Sequence, residues 1–170
     1  MLSKGVINFY GIVNLMLKNK YSFSECSSLK EIIILNSVTE IHKYSFSKCS
    51  SFTNIIIPNS VIYIGKNIFS ECSSLTNIII PNNVKIIGNN VFQNCTSLTN
   101  ITIPNSVIYI EEDVFKGCSS LKDVIIPNSI KKFVNIVFLN VHHLQILQFQ
   151  KVFKKLVIMP FHIVHHLKIL

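Results

Sequence analysis

The hydrophobic positions of this chain recur at every twenty-third position, and this spacing is called the repeat interval below. In each unit a phenylalanine is followed three residues later by a cysteine, then by two hydroxyl residues and a leucine or phenylalanine. The two most regular positions are Phe23, Phe46, Phe69, Phe92 and Phe115, and Cys26, Cys49, Cys72, Cys95 and Cys118. Such a period predicts a stack of repeats, because no single unit can bury its apolar face alone.

Each repeat contains one short segment that predicts a β-strand. Ile78, Ile79 and Ile80 are β-branched and fit a pleated surface, and Pro81 directly after them cannot continue a hydrogen-bonded ladder. The return half of the same unit carries Val84 and Ile87, which predict a second set of core residues joined by short turns. We therefore expect a mainly β solenoid with one parallel sheet. Its strands are predicted at residues 29–34, 52–57, 75–80, 98–103 and 121–126.

The string Phe-x-x-Cys-Ser-Ser-Leu-x-x-Ile-x-Ile-Pro-Asn-Ser-Val, read along these units, resembles the BspA-like leucine-rich repeats of bacterial and protist surface proteins. The resemblance covers residues 21–132 as five repeats. The chain departs from it at Leu35, which replaces proline, and at Glu111, which replaces the glycine found at Gly65 and Gly88. The resemblance implies a leucine-rich-repeat solenoid, an elongated non-catalytic recognition surface, and a place on the cell surface or outside the cell.

Two flanks frame the five repeats. Residues 1–20 match the pattern poorly and are interpreted as a degenerate N-terminal flank or cap, although Val6 and Leu15 lie one repeat interval before Leu29 and Val38. Two polar residues interrupt the apolar run of this flank and no small-residue cleavage site follows, so it makes a poor signal peptide. The run is also too short for a transmembrane helix, which needs about 20 apolar residues.

Residues 133–170 form an eroded, apolar and basic tail that still keeps the interval, since Phe138 and Phe161 continue the phenylalanine positions. The degenerate codons of the tail can also be read in the frame that starts one base earlier. In that frame, the codons of Phe138 to Leu144 permit Ser-Lys-Cys-Ser-Ser-Leu, and those of Gln145 to Gln150 permit Thr-Asn-Ile-Thr-Ile-Pro. This agreement favours the hypothesis that the tail is a frame-shifted reading of two further repeats. We expect the tail not to continue the sheet and to add little to stability.

The net charge of +8 does not indicate a nucleic-acid-binding protein. Six of the 16 basic residues lie in residues 131–170, which contain no acidic residue, so residues 1–130 carry only +2. Affinity for nucleic acid requires many phosphate contacts from clustered basic residues. The absence of Arg and Ala and the abundance of Ile, Asn and Lys also fit an A+T-rich coding sequence.

The sequence offers few candidate residues for metal binding or catalysis. The five cysteines occur once per repeat rather than as the close pairs that a zinc site requires, and a ladder of small buried residues accounts for them. Glu111, Glu112 and Asp113 form one acidic cluster in a turn, without the further carboxylates that a calcium site needs. No nucleophile lies at a regular distance from a base, so we expect no catalytic residues, no metal, no cofactor and no enzymatic activity.

The strand alternation also predicts which side chains face away from the core. These form the candidate interaction face: Glu31, Ile33, Asn54, Ile56, Asn77, Ile79, Asn100, Thr102, Asp123 and Ile125. Four isoleucines in line on a solvent-facing sheet are typical of a binding surface, although A+T-rich codons also favour isoleucine. We expect a protein or glycan partner at this face, with no nucleic acid and no membrane span. The open ends of the stack offer a route to self-association. The alternative is a structural spacer, or a fragment of a larger surface protein that has no activity of its own.

Overall fold

The computed structural model describes residues 6–7, 16–133, 137–144, 146–149 and 168–169. These residues form short strands joined by turns, and residues 16 and 17 are helical. One turn of the stack, which spans one repeat interval, is called a coil below. The strands in chain order are β1 (Val6–Ile7), β2 (Glu31–Ile32), β3 (Glu40–Ile41), β4 (Tyr63–Ile64), β5 (Ile86–Ile87), β6 (Asn100–Thr102), β7 (Tyr109–Ile110), β8 (Asp123–Ile126), β9 (Lys132–Phe133), β10 (Ile146–Phe149) and β11 (Lys168–Ile169).

The parallel pairing predicted for the first half of each coil is present, and the paired segments are together called the front sheet. Of the five predicted strands, those at residues 52–57 and 75–80 form only isolated bridges. β1 pairs with β2, and β6, β8, β10 and β11 form a four-stranded sheet in the order β11-β10-β8-β6. Between these groups, parallel bridges join Ile33 to Ile56 and Ile56 to Ile79. The partners from Ile33 to Phe149 lie one repeat interval apart, so equivalent residues of successive coils lie side by side. The predicted mainly β repeat solenoid is confirmed.

A second parallel sheet, here called the return sheet, lies on the other half of each coil and was not predicted. β3, β4, β5, β7 and β9 form its five strands in that order, again with partners one repeat interval apart. Each of its strands has two residues, of which the second is buried in the four strands from β3 to β7. On this half of each coil, the segment between the turns is therefore hydrogen-bonded to the equivalent segments of the neighbouring coils.

The core lies between the two sheets and consists of identical side chains stacked along the axis. The phenylalanine rings stack from Phe23 to Phe138, with centroids 5.3 to 5.8 Å apart and nearly parallel planes. Phe69 and Cys72, two residues of the predicted core, are both fully buried. The stack therefore gains its stability from contacts between neighbouring coils, as expected of a solenoid.

Two turn positions in each coil have the left-handed backbone conformation. The first set has φ of 56° to 63° and comprises Tyr21, Tyr44, Asn67, Asn90 and Asp113. The second set has φ of 57° to 70° and comprises Glu25, Lys48, Glu71, Asn94, Gly117 and Asn140. Glycine, asparagine and aspartate adopt this conformation readily, whereas other residues adopt it at an energetic cost. The turns therefore hold several residues in an unfavourable conformation.

The described part of the N-terminal flank contacts the first repeats, but in a different register from the one expected. Leu17 is fully buried, and its carbonyl accepts a hydrogen bond from the backbone N–H of His42 at 3.4 Å. Val6 pairs with Glu31 and not with Leu29, which lies one repeat interval after it. Leu15 lies outside the described residues.

The expectation that the tail would not continue the sheet is wrong for its described part. β10 pairs with β8 in the same register as the earlier strands, and β9 extends the return sheet. Phe138 is buried and stacks on Phe115 with ring centroids 5.3 Å apart, and Val141 and Leu144 are buried as well. Apolar residues at the core positions are sufficient for this coil to pack, even though its turns have lost the repeat sequence. Residues 150–167, which include Phe161, lie outside the described part of the chain.

Candidate functional site

The front sheet presents the ten predicted face residues in two parallel rows. In the segments at residues 54–57 and 77–80, side chains alternate strictly between exposed and buried along the strand. This alternation turns Asn54 and Ile56 outward while Ile55 and Ile57 enter the core. The bridges between Ile33, Ile56 and Ile79 bring the isoleucines of three coils together, and these three residues are called the isoleucine stripe.

The isoleucine stripe is unusually exposed for large apolar side chains. Ile56 and Ile79 are 82% and 81% exposed, and Ile33 is 48% exposed. A groove of about 650 Å³ runs along the stripe and is also lined by Glu31, Asn54 and Asn77. A smaller groove of about 300 Å³ continues it to Asn100 and Thr102 of the next coil. The apolar stripe thus has a row of polar side chains beside it along its three coils, and this polar row continues to Asn100 on the fourth.

The candidate face is not uniform from end to end. Asn100 and Thr102 are exposed, and they pair with Asp123 and Ile125 of the following coil. Asp123 and Ile125 are only half-exposed, and their strand β8 is flanked on its other side by β10. The accessible part of the predicted face therefore lies on the four coils from Glu31 to Thr102.

Four of the five cysteines lie in the core, whereas Cys26 in the first repeat is only partly buried. The thiols of Cys49, Cys72, Cys95 and Cys118 each donate a hydrogen bond of 3.0 to 3.1 Å to the carbonyl of the phenylalanine 26 residues earlier. Burial raises the pKa of all four thiols, and that of Cys118 to about 12. A thiol that stays protonated is a poor nucleophile and a poor metal ligand. The ladder therefore links coils and offers no reactive centre.

Two carboxylates of the acidic cluster make contacts within the protein, one with the preceding coil and one within the same turn. The Glu111 carboxylate accepts a hydrogen bond from the backbone N–H of Asn89 at 3.0 Å. Asp113 forms an ion pair of 3.1 Å with Lys116 three residues later. Across the described ranges, no group of three or more His, Cys, Asp or Glu side chains is arranged to hold a metal ion. His142 and His143 are both exposed.

The sequence analysis missed two other exposed features. On the return sheet, Ile62, Tyr63 and Tyr109 are exposed, and burial together with the nearby Glu111 and Glu40 carboxylates raises the pKa of Tyr63. At the turn edge, Lys20, Tyr21, Lys43, Tyr44 and Lys66 form what is called the Lys–Tyr ridge. The signal that could have identified the ridge is the spacing of its three lysines, which follows the repeat interval.

In the described part of the chain, no helix has the length and apolar character needed to cross a membrane. A family model described as the BspA type leucine rich repeat region matches residues 18–159 with six copies. No curated protein matches the chain in sequence.

Two solved structures resemble this fold. A leucine-rich repeat protein of T. pallidum, TpLRR, is 27% identical with a TM-score of 0.67, over 75% of this chain and 60% of that one. A leucine-rich repeat protein of Eubacterium ventriosum ATCC 27560 is 20% identical with a TM-score of 0.67, over 87% of this chain and 38% of that one. The chain therefore spans less than two thirds of the length of either protein.

Proposed function

Because the chain belongs to the BspA-type leucine-rich repeat family, we propose that it is a non-catalytic recognition module that binds a protein partner through its front sheet. Solenoids of this kind generally serve as binding modules, since the stacking of coils creates an extended surface. The described residues offer a continuous apolar stripe on that surface. They also place the cysteine and carboxylate groups in structural contacts.

The observation that carries the proposal is the exposure of Ile56 and Ile79, each more than four fifths accessible. Neither residue contributes to the core, and both expose apolar area to water. Contiguous exposed apolar area bordered by polar groups is characteristic of protein interaction sites. Asn54 and Asn77 provide that border, and their side chains can hydrogen-bond to a partner backbone.

The groove along the stripe supports the same proposal. Its volume of about 650 Å³ lies within the range of about 300 to 1,000 Å³ that is typical of ligand pockets. Its walls are the three neighbouring strand segments at Glu31–Ile34, Asn54–Ile56 and Asn77–Ile79. A rigid backbone under the contact residues limits the entropy lost on binding.

We also propose that the protein acts at the cell surface or outside the cell, as its resemblance to surface-protein repeats implies. Protease treatment of intact cells that express the chain tests this location. Loss of the protein from intact cells supports surface exposure, whereas protection until the cells are lysed contradicts it.

The binding proposal is tested by photo-crosslinking followed by affinity measurement. A photoreactive amino acid is placed at Ile79 and, as a matched control, at Ile62, which is a half-exposed isoleucine of the other half of the coil. We expect a partner to be captured from position 79 and not from position 62. The affinity of the purified partner is then measured for the wild type, for Ile56→Thr/Ile79→Thr and for Ile62→Thr.

We expect the double variant to bind at least about tenfold more weakly, because it removes the apolar contacts at the centre of the face. It should fold normally, since threonine keeps the β-branch and already occurs at Thr102 in the same row. A partner that binds the folded double variant as tightly as the wild type would exclude the front face as its site. The absence of any partner at position 79 would favour a structural spacer.

A further inference from the structure

The Lys–Tyr ridge lies outside the front face and repeats the same residue types in successive coils. Lys20, Lys43 and Lys66 are all exposed. The backbone N–H of Tyr21 donates to the carbonyl of Lys43 at 3.2 Å, and that of Tyr44 donates to the carbonyl of Lys66 at 3.0 Å. These bonds hold neighbouring coils in register, with a spacing of about 4.8 Å expected between equivalent residues.

The charges of the ridge are not neutralised within the described part of the chain. The ion pairs recorded there join His42 to Glu40, Lys48 to Glu25 and Lys116 to Asp113, and none involves a lysine of the ridge. Three exposed lysines at equivalent positions of neighbouring coils repel one another. An anion that spans these coils would relieve that repulsion.

The tyrosines of the ridge are held in an unfavourable backbone conformation. Tyr21 and Tyr44 have φ of 62° and 63°, where bulky residues are rarely found. The next two coils have Asn67 and Asn90 at the same position, and asparagine tolerates this conformation. The first two coils thus have tyrosine at a position where asparagine would relieve the backbone strain. Backbone strain of this kind is concentrated at functional sites.

The two tyrosine rings stack face to face, so that their edges line the ridge. Their centroids are 4.7 Å apart and their planes differ by 9°, and Tyr21 is 55% exposed. In the next two coils, the position of the ridge lysines is occupied by the neutral Asn89 and the acidic Glu112. The row of basic residues therefore ends after three coils. The ridge thus combines an aromatic surface, three unpaired positive charges and a defined length.

We infer that the Lys–Tyr ridge binds a linear acidic polysaccharide that runs along the solenoid axis. The coil spacing is close to the length of one sugar unit in an extended chain, so successive carboxylate or sulfate groups reach successive lysines. The exposed tyrosine edges provide an apolar contact for a sugar ring and a hydroxyl for hydrogen bonding.

Binding of the full chain is measured by titration calorimetry against polygalacturonate, which is carboxylated, and dextran sulfate, which is sulfated. Neutral dextran and single-stranded oligothymidylate serve as comparison ligands. The test variant is Lys20→Gln/Lys43→Gln/Lys66→Gln. The matched control is Lys85→Gln/Lys122→Gln/Lys131→Gln, which removes three exposed lysines outside the ridge and changes the net charge equally.

We expect one acidic polysaccharide to bind and neutral dextran not to bind. The ridge variant should bind about tenfold more weakly, since an exposed ion pair typically contributes about a twofold factor and three such pairs are removed. The control variant should stay within about twofold of the wild type. Tyr21→Asn/Tyr44→Asn should fold at least as stably as the wild type, because Asn67 and Asn90 already occupy this position, and should also bind more weakly.

A measurement on the wild type gives an independent check if a variant does not fold. Bound polysaccharide should protect Lys20, Lys43 and Lys66 from chemical acetylation, while Lys85, Lys122 and Lys131 remain reactive. Equal weakening of both triple variants, or equal reactivity of all six lysines, would overturn the inference because binding would then follow net charge alone. Tighter binding of oligothymidylate than of either polysaccharide would also overturn it, in favour of a nucleic-acid ligand.

Discussion

The rings of Phe69 and Phe92 lie one coil apart, with centroids 5.8 Å apart and planes that differ by 6°. Both side chains are completely buried, and Phe69 also stacks on Phe46 of the preceding coil. A phenylalanine in the middle of the stack therefore contacts its equivalents on both sides. This arrangement makes each coil depend on its neighbours.

Phe69→Ala is expected to lower the free energy of unfolding by about 3 to 5 kcal/mol, because it removes a buried aromatic ring and leaves a cavity between two coils. Urea denaturation measures the change. The control is Ile79→Ala, which truncates an exposed side chain and should alter stability much less. A loss below about 1 kcal/mol for Phe69→Ala would contradict the stacked core.

Glu71→Asn is expected to stabilise the protein by about 0.5 to 1 kcal/mol, because Glu71 is exposed and has φ of 62°, a conformation that asparagine adopts more readily than glutamate. Asn94 occupies the equivalent position in the next coil with φ of 57°. Thermal unfolding of Glu71→Asn and of Glu71→Ala separates the effect of backbone strain from that of the carboxylate, because alanine removes the carboxylate and leaves the strain. Equal melting temperatures for the two variants would argue against strain at this turn.

The buried thiols predict a loss of stability at alkaline pH. Burial raises the pKa of Cys118 to about 12 and also raises that of Cys95, from an ordinary value of 9.0. Between pH 9 and pH 12 the unfolded chain releases protons that the folded chain retains, so stability is complete below pH 9 and falls as pH rises. Each thiol contributes a slope of at most about 1.4 kcal/mol per pH unit.

Urea denaturation from pH 8 to pH 11 checks this prediction, with Cys95→Ala/Cys118→Ala as the comparison. The variant retains every tyrosine and lysine that titrates in this range, so only the thiol contribution differs. We expect its stability to depend less steeply on pH. Identical slopes for the two proteins would show that the thiols are ionised equally in the folded and unfolded chains.

Truncation after Lys132 is expected to lower the melting temperature. Phe138 covers Phe115 and is itself buried, so its removal exposes an aromatic ring at the end of the stack. Phe138→Ala in the full chain should reproduce much of the loss, about 3 kcal/mol for a buried aromatic. The measurement is calorimetric unfolding of the full chain, the truncated chain and the point variant. An unchanged melting temperature in both variants would show that the tail does not pack on the fifth repeat.

We propose that residues 133–170 are a frame-shifted reading of two further repeats, and the buried positions of the first tail coil are compatible with this origin. Val141 occupies the place of the core cysteines, one repeat interval after Cys118. Sequencing of the adenine-rich codons of Lys131 and Lys132 tests the proposal directly. A chain that carries the restored reading should melt at a higher temperature, because its turns regain the repeat sequence. An intact reading frame that is maintained in close relatives would exclude the proposal.

The sequence was sufficient to predict the front sheet and the core, because both follow from the identity of repeated residues. A side chain such as Phe69 packs against its own equivalents in the coils above and below, so the repeat interval places it without any knowledge of distant contacts. The alternation around Ile79 likewise determined which side chains face outward. The candidate face was therefore visible in the sequence.

Only the tertiary structure decided the features that depend on backbone hydrogen bonds between coils. Tyr63 and Ile64 are too short a segment to predict a strand, and they form one because the neighbouring coils pair with them on both sides. The left-handed turn at Tyr44 and the stacking of its ring on Tyr21 likewise require the coils to be assembled. The continuation of the stack at Phe138 was decided by packing, since an apolar residue of the right size at a core position can fill the end of the solenoid even where the turn sequence has been lost.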